Sequence, residues 1–240
     1  MPNTDCYAFL KAILAKEYEA NHYRGDAAHP HHAHVVITIS RDFGAGGELI
    51  GNALSECLGI PLYDREILRL IAERSKTSEF HVELHDEQVT SGITAAIFST
   101  LTGAANHIAL YRKYLYDVVK DLAKKDAILI GRGAHLILNG EKAFRIRVIA
   151  PLETCVQRVM AETGASRRAA EKQVLEVNSQ RHQSIKKLFG DHDRQVSLNN
   201  AENFDLVLNT DQIPPEQAAP VILMALRAAG YHLFEAAATK

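Results

Sequence analysis

One short stretch limits the folds open to this chain more than any other. Val35-Val36-Ile37-Thr38-Ile39 is a β-branched run that stops in Ser40-Arg41-Asp42-Phe43-Gly44-Ala45-Gly46-Gly47, and helical spacing then begins at once and continues to Leu58. An apolar run closed by a glycine turn reads as a buried parallel strand. Strand, glycine turn and immediate helix aim backbone N–H groups and a helix N-terminus at one spot, which suits an anion. Gly44, Gly46 and Gly47 omit Cβ atoms where a phosphate approaches the backbone. Against the pattern G-x-x-x-x-G-K-[ST], aligning the glycines puts Gly47 at the lysine and Leu49 at the hydroxyl, so both of those parts are absent. Arg41 is the local cation, a planar fork suited to phosphate oxygens.

Similar runs recur at 127–130, 144–149 and 204–208, and helical spacing recurs at 65–74, 105–123, 152–163 and 216–229. Strands alternating with helices imply a parallel sheet covered on both faces. The segment from Ser78 to Lys125 has helical patterns and no convincing strand, and reads as a helical insertion. A second excursion from Ser166 to about Asn199 carries Arg167, Arg168, Lys172, Arg181, Lys186, Lys187 and Arg194. Ahead of the core, residues 5–20 read as an amphipathic helix and residues 21–34 as a linker. The linker's His31-His32-Ala33-His34 run lacks the fixed geometry that a metal site needs. The expected organisation is an appendage over 1–34 and one domain over 35–240, with the insertion at about 78–125 and a lid at about 166–199.

With 27 basic and 29 acidic side chains the net charge is -2, so no global field draws nucleic acid or an anionic membrane. The cations of the second excursion are interrupted by Glu171, Glu176, Asp191 and Asp193 and lack aromatic neighbours, which argues against DNA or RNA binding. Cys6, Cys57 and Cys155 form no paired framework, no apolar stretch approaches the roughly 20 residues of a membrane span, and no leader is apparent. A cytoplasmic location is the expectation.

The run Ile37 to Gly51, continued by Leu58-Gly59-Ile60-Pro61-Leu62-Tyr63-Asp64, resembles the start of the cytidylate kinase-like family. Ile128-Leu129-Ile130-Gly131-Arg132-Gly133-Ala134 is similar to that family's central strand and Gly-Arg-Gly turn. Residues 145–153 and 204–210 are similar to its last two strands, and the ordered matches span 35–229. The resemblance implies a three-layer α/β/α nucleoside monophosphate kinase fold. It would contain a five-stranded parallel sheet, a phosphate loop, a helical monophosphate-binding insertion and an arginine-bearing lid.

It also implies roles. Ser40, Gly44, Ala45, Gly46 and Gly47 would hold the phosphates of ATP, with Mg2+ as the accompanying ion, and Arg132 and Asp64 would face the acceptor at the strand ends. Arg41, Arg158 and Arg181 would neutralise charge on the transferred group. Asp64 equally fits an N-cap for the helix from Arg65, and Arg158 and Arg181 equally fit solvated helix faces. Arg145 and Arg147 share one strand face and stay outside the core site. Asn178 stands where the lid pattern Asp-x-x-Arg has a carboxylate, which would weaken a lid contact.

The activity so implied is phosphoryl transfer from ATP to a nucleoside monophosphate, CMP- or dCMP-like, or a related phosphate acceptor. The rivals are a nucleotide-binding regulatory protein without turnover and a helix-mediated scaffold. The helical insertion is the candidate contact for a homodimer.

Overall fold

The computed structural model describes residues 34–75, 105–190, 196–231 and 233. The helix expected at 5–20, the linker except His34, and the first part of the insertion lie outside these residues.

Five parallel strands form one sheet in the order β2-β3-β1-β4-β5: β1 (Val36–Arg41), β2 (Leu62–Tyr63), β3 (Ala127–Ile130), β4 (Phe144–Ile149) and β5 (Leu206–Asn209). Period-two alternation divides the sheet between two cores. Ile37 and Ile39 of β1 and Ile128 and Ile130 of β3 face one cluster, built with Ile50, Leu54, Val156, Ile222 and Leu226. Val36, Ala127 and Leu129 face the other, with Ile67, Ile71, Leu115 and Val119. The first face is covered by α1 (Gly47–Leu58), α5 (Leu152–Thr163) and α7 (Pro215–Ala228). The second is covered by α2 (Glu66–Ser75), α3 (Ala105–Leu122) and the short α4 (Ala134–Ile137). The architecture is therefore the expected three-layer α/β/α.

Parallel strands buried on both faces need near-continuous apolar runs. That explains why β1 and β3 were legible and why β2, two residues at the sheet edge, was not. α4 is four residues long and carries no periodic signal of its own. The excursion expected to be helical from Ser166 is a single helix, α6 (Arg167–Phe189), whose N-cap Ser166 accepts a hydrogen bond from the Ala169 N–H. Within the described residues from 196 the next helical element is a short 3-10 turn, Ala201–Asn203. Ala170 and Val174 of α6 are buried in the first core, so the N-terminal half of the expected lid packs as part of the domain.

Strand order reverses at β1, between β3 and β4, and ligands in open α/β sheets bind beyond the carboxyl ends of strands at such a point. The glycine loop leaves β1 there. The Gly131-Arg132-Gly133 turn leaves β3 beside it, with the Gly131 N–H donating to the Ile39 carbonyl at 2.9 Å. Among the described residues no helix is long and apolar enough to cross a membrane.

Candidate active site

The loop enters α1 through Gly46, an N-cap in the left-handed region at φ 82 with no side-chain cap. A side chain at Gly46 would be strained, and its Cβ would fall 2.3 Å from Pro215 Cγ. The glycine at this N-cap thus makes room for Pro215 at the start of α7, and the loop passes directly into the first turn of α1.

Gly47 is different, because its backbone is helical and the restriction comes from a neighbour. A Cβ there would lie 2.6 Å from Arg41 Cβ and 2.7 Å from Arg41 Cγ. The arginine stem crosses directly over the glycine, and its guanidinium reaches β3, where a Cβ on Gly131 would lie 2.5 Å from Arg41 Nη1. The space a lysine at position 47 would need already holds the stem of a cation from the other end of the loop. Arg41 Nη2 pairs with Glu48 at 2.6 Å and lies 3.8 Å from Asp64 Oδ2.

Two alignments at the loop are corrected. The pattern's hydroxyl residue directly follows its lysine, so Glu48 and not Leu49 stands at that position; Glu48 reaches back over the loop, and Leu49 is 56% exposed. Asn178 does not loosen the α6 contact, because its Oδ1 accepts the Phe43 N–H at 2.8 Å. One turn on, Arg181 donates to the Arg41 carbonyl at 3.0 Å, stands 5.8 Å above the Phe43 ring and lies 3.8 Å from Glu48. Burial, and then the Arg41 charge, push the Arg181 guanidinium down to about 9. Burial alone would raise the Glu48 carboxyl, but the Arg41 and Arg181 charges outweigh it and hold it below the usual carboxylate range. Two guanidiniums facing one spot repel each other unless an anion lies between them.

The loop is braced from beneath. Asp42 Oδ1 accepts from Arg147 Nη2 at 2.5 Å, and Arg147 Nε donates to the Leu198 carbonyl at 3.0 Å. Arg145 pairs with Asp205. Both strand arginines are therefore engaged by protein groups. Arg158 Nη1 donates to Thr210 Oγ1 at 2.8 Å and to the Gly44 carbonyl at 3.4 Å, while Nη2 donates to the Thr210 carbonyl at 2.6 Å. Thr210 Oγ1 in turn donates to the Ala45 carbonyl at 2.8 Å. Arg158 thus stands at the loop with its fork directed at the backbone that carries Gly44 and Ala45.

The Ser40 hydroxyl turns to the second face of the sheet, 3.0 Å from His135 Nδ1. The His135 ring is buried and stacks on Phe204 at 4.8 Å. Burial, then the Arg147 and Arg145 charges, lower its pKa from 6.5 to about 3. Below 6.5 the unfolded imidazole binds a proton that the folded one refuses, so this contribution is complete above 6.5 and is lost as pH falls toward 3. The slope is up to about 1.4 kcal/mol per pH unit. In urea unfolding followed from pH 7 to 4.5, His135→Asn is expected to lose stability less steeply than the parent; parallel slopes would refute the assignment.

At β3 the turn residues Gly131, Arg132 and Gly133 have φ of 72, 53 and 70. Arg132 is the one non-glycine residue with positive φ among those described, a strain found where the surroundings over-determine a conformation. The turn is pinned by Phe189 of α6, whose ring carbon Cε2 would lie 2.3 Å from a Cβ on Gly133. Arg132 is half-buried; burial raises the pKa of the Tyr111 hydroxyl on α3, and the Arg132 charge pulls it back. Asp64 lies two residues ahead of α2, which begins at Glu66, and its carboxylate faces Arg41.

The structure sets Arg41 against Gly47 and beside Asp64 and Glu48, with Arg181 on the same Glu48, so that these side chains share one mouth at the start of α1, while Gly44, Ala45 and Gly46 lie in the loop leading to it. It places Arg132 on the neighbouring turn, Arg158 behind the loop and the Ser40 hydroxyl beneath it. Sequence reasoning missed Glu48, Asp42, Arg147, His135 and Thr210. Only Glu48 had a readable signal, as the charged residue directly following the glycine pair.

Three solved structures are similar in fold. An uncharacterised protein from Eubacterium ventriosum is 18% identical and aligns over 81% of this chain and 99% of its own, with a TM-score of 0.58. Shikimate kinase from Bacteroides thetaiotaomicron is 14% identical over 81% of this chain and 98% of its own, TM-score 0.46. Shikimate kinase from Acinetobacter baumannii is 14% identical over 82% and 94%, TM-score 0.45. Identities this low speak of fold alone, and the first structure carries that point. A curated relative, uronate isomerase from Corynebacterium glutamicum, is 29% identical over 124 residues, covering 50% of this chain and 23% of that protein. The chain therefore spans less than a quarter of the curated relative it matches. The family match is far more extensive, running through residues 36–212 of the 240 and taking in the glycine loop, the Gly-Arg-Gly turn and all five strands: this chain belongs to the cytidylate kinase-like family, a family of kinase type.

Proposed function

We propose that the chain transfers the γ-phosphoryl group of ATP to a nucleoside monophosphate, CMP- or dCMP-like, or to a related phosphate acceptor. The observation that carries this reading is the path of Arg41 across Gly47 to Gly131. It sets a cation at the mouth of a glycine loop that otherwise lacks one. Gly44, Gly46 and Gly47 offer backbone N–H groups to the donor phosphates, the Ala45 N–H being bonded to the Asp42 carbonyl at 3.2 Å, and Arg41 and Arg181 balance their charge.

Arg132, at the end of the adjacent strand, holds the acceptor phosphate. An acceptor phosphate oxygen forms the new O–P bond, the bridging bond to the β-phosphate breaks, and ADP leaves. Such a transfer needs positioning and charge stabilisation more than a covalent nucleophile. Among the described residues no group of three or more His, Cys, Asp or Glu side chains is placed to hold a metal. Mg2+ in such sites is shared between phosphates and one or two carboxylates. Asp64 would be the carboxylate that shares it, and the ion would supply charge neutralisation across the phosphates.

A coupled assay for ADP, run with ATP, Mg2+ and each monophosphate, tests the reading. Arg132→Ala is expected to lower turnover roughly 100-fold, the scale of removing one preorganised charge donor. No turnover above that variant with any acceptor would overturn it. The second reading, nucleotide binding without turnover, is favoured by one observation: the Arg158 fork is committed to Thr210 and Gly44. It predicts calorimetric binding of nucleotide alongside a silent assay.

A further inference from the structure

We propose that the Glu48 carboxylate is an internal stand-in for the donor phosphate. It bridges Arg41 and Arg181 in the ligand-free chain and leaves when a polyphosphate takes its place. This rests on the reading of the loop as the donor-phosphate site.

A phosphate bound at such a loop draws on guanidinium forks, a second cation and the backbone N–H groups of a helix start. Glu48 already has the first two kinds of partner, and it stands in the first turn of α1. Its Oε1 accepts from Arg41 Nε at 2.7 Å and sits 2.6 Å from Arg41 Nη2. Arg181 Nη2 stands 3.8 Å from the same oxygen.

The donors and the acceptor are not equally fixed, and that asymmetry decides which of them moves. The Arg41 side chain is 12% exposed and wedged between Gly47 and Gly131, and Arg181 is tied to the Arg41 carbonyl and the Phe43 ring. Glu48 is 48% exposed, so its carboxylate can turn into water without opening the core. An incoming anion therefore finds both cations in place and must displace only a solvent-accessible carboxylate. While Glu48 is in, the site is closed to anions, and the apparent affinity falls by the fraction of time it is out.

Calorimetry of the full chain with sodium tripolyphosphate, and separately with ATP, in EDTA at constant ionic strength, tests this without any metal step. Glu48→Gln keeps the shape and removes the charge, and is expected to bind both ligands about tenfold more tightly than the parent. Equal or weaker binding by Glu48→Gln, with the parent binding measurably, would overturn the stand-in role and leave the donor-site reading untouched. If neither protein binds either ligand, the donor-site reading fails and this proposal falls with it. Should thermal melting show that Glu48→Gln does not fold, Glu48→Ser is read by the same criterion.

Discussion

Gly47→Lys, which supplies the lysine of the G-x-x-x-x-G-K pattern, is expected to weaken the protein and its nucleotide binding rather than improve either. The new Cβ would lie within 2.7 Å of both Cβ and Cγ of Arg41. Those are the root of that side chain, so rotation of its flexible end brings no relief. Overpacking of this kind costs about 2 kcal/mol, or roughly 4–8 °C in Tm for a domain of this size. It would also expel Arg41 from the mouth of the loop.

With Gly46 as the sixth position of the pattern, Arg41 is the first, where the pattern has glycine. This chain carries the cation and the small residue at exchanged ends of the same contact. The double variant Arg41→Gly with Gly47→Lys is therefore expected to recover both Tm and ATP binding relative to Gly47→Lys alone. A single variant as stable as the parent and binding ATP more tightly would show that Arg41 does not fill the lysine's space.

Arg147→Met is expected to produce the largest loss of stability, because it removes the partner of Asp42 and one donor to the Leu198 carbonyl. Breaking a buried pair by one partner costs about 3–5 kcal/mol. The Arg147 side chain is 3% exposed but Asp42 is 21% exposed, so water relieves part of the stranded charge and the lower end of that range applies. The expected fall in Tm is roughly 6–12 °C. Asp42→Asn in the Arg147→Met background should restore part of it, since no charge is then left unpaired. A Tm within a degree of the parent for Arg147→Met would mean that the pair does not brace the loop. Because Asp42 lies inside the loop, the same substitution should also weaken ATP binding in calorimetry.

Legibility in the sequence followed the range of the interaction. The runs at 35–39 and 127–130 and the helix at 152–163 could be read directly, because period-two and 3.6-residue patterns are local and their apolar faces are buried against whatever lies opposite. The last strand was placed at 204–208 and runs Leu206–Asn209, a shift of the size expected where half-exposed residues blur the pattern. The loop glycines were also local, since a tight turn with close backbone approach requires them wherever the chain goes next.

Side-chain destinations were a different matter. Arg158 and Arg181 are both helix arginines, yet α6 carries Arg181 to the mouth and α5 carries Arg158 to the loop's back, a distinction set by packing angles. Glu48 carried no reading of its own in the sequence, because its partners come from β1 and from α6. Ser40 read as a loop ligand, while the pleat of β1 turns its hydroxyl to His135 on the opposite face.

The glycine loop was therefore determined by sequence alone as a strand, a glycine turn and a helix. What it uses for charge was decided only by the fold, in which Arg41 at the end of β1 lies against both Gly47 and Gly131 and α6 brings Arg181 to the same Glu48. Local sequence specifies backbone conformation because sterics and periodicity act within a few residues. The identity of a side chain's partner depends on elements far apart in the chain, which only the packed sheet brings together.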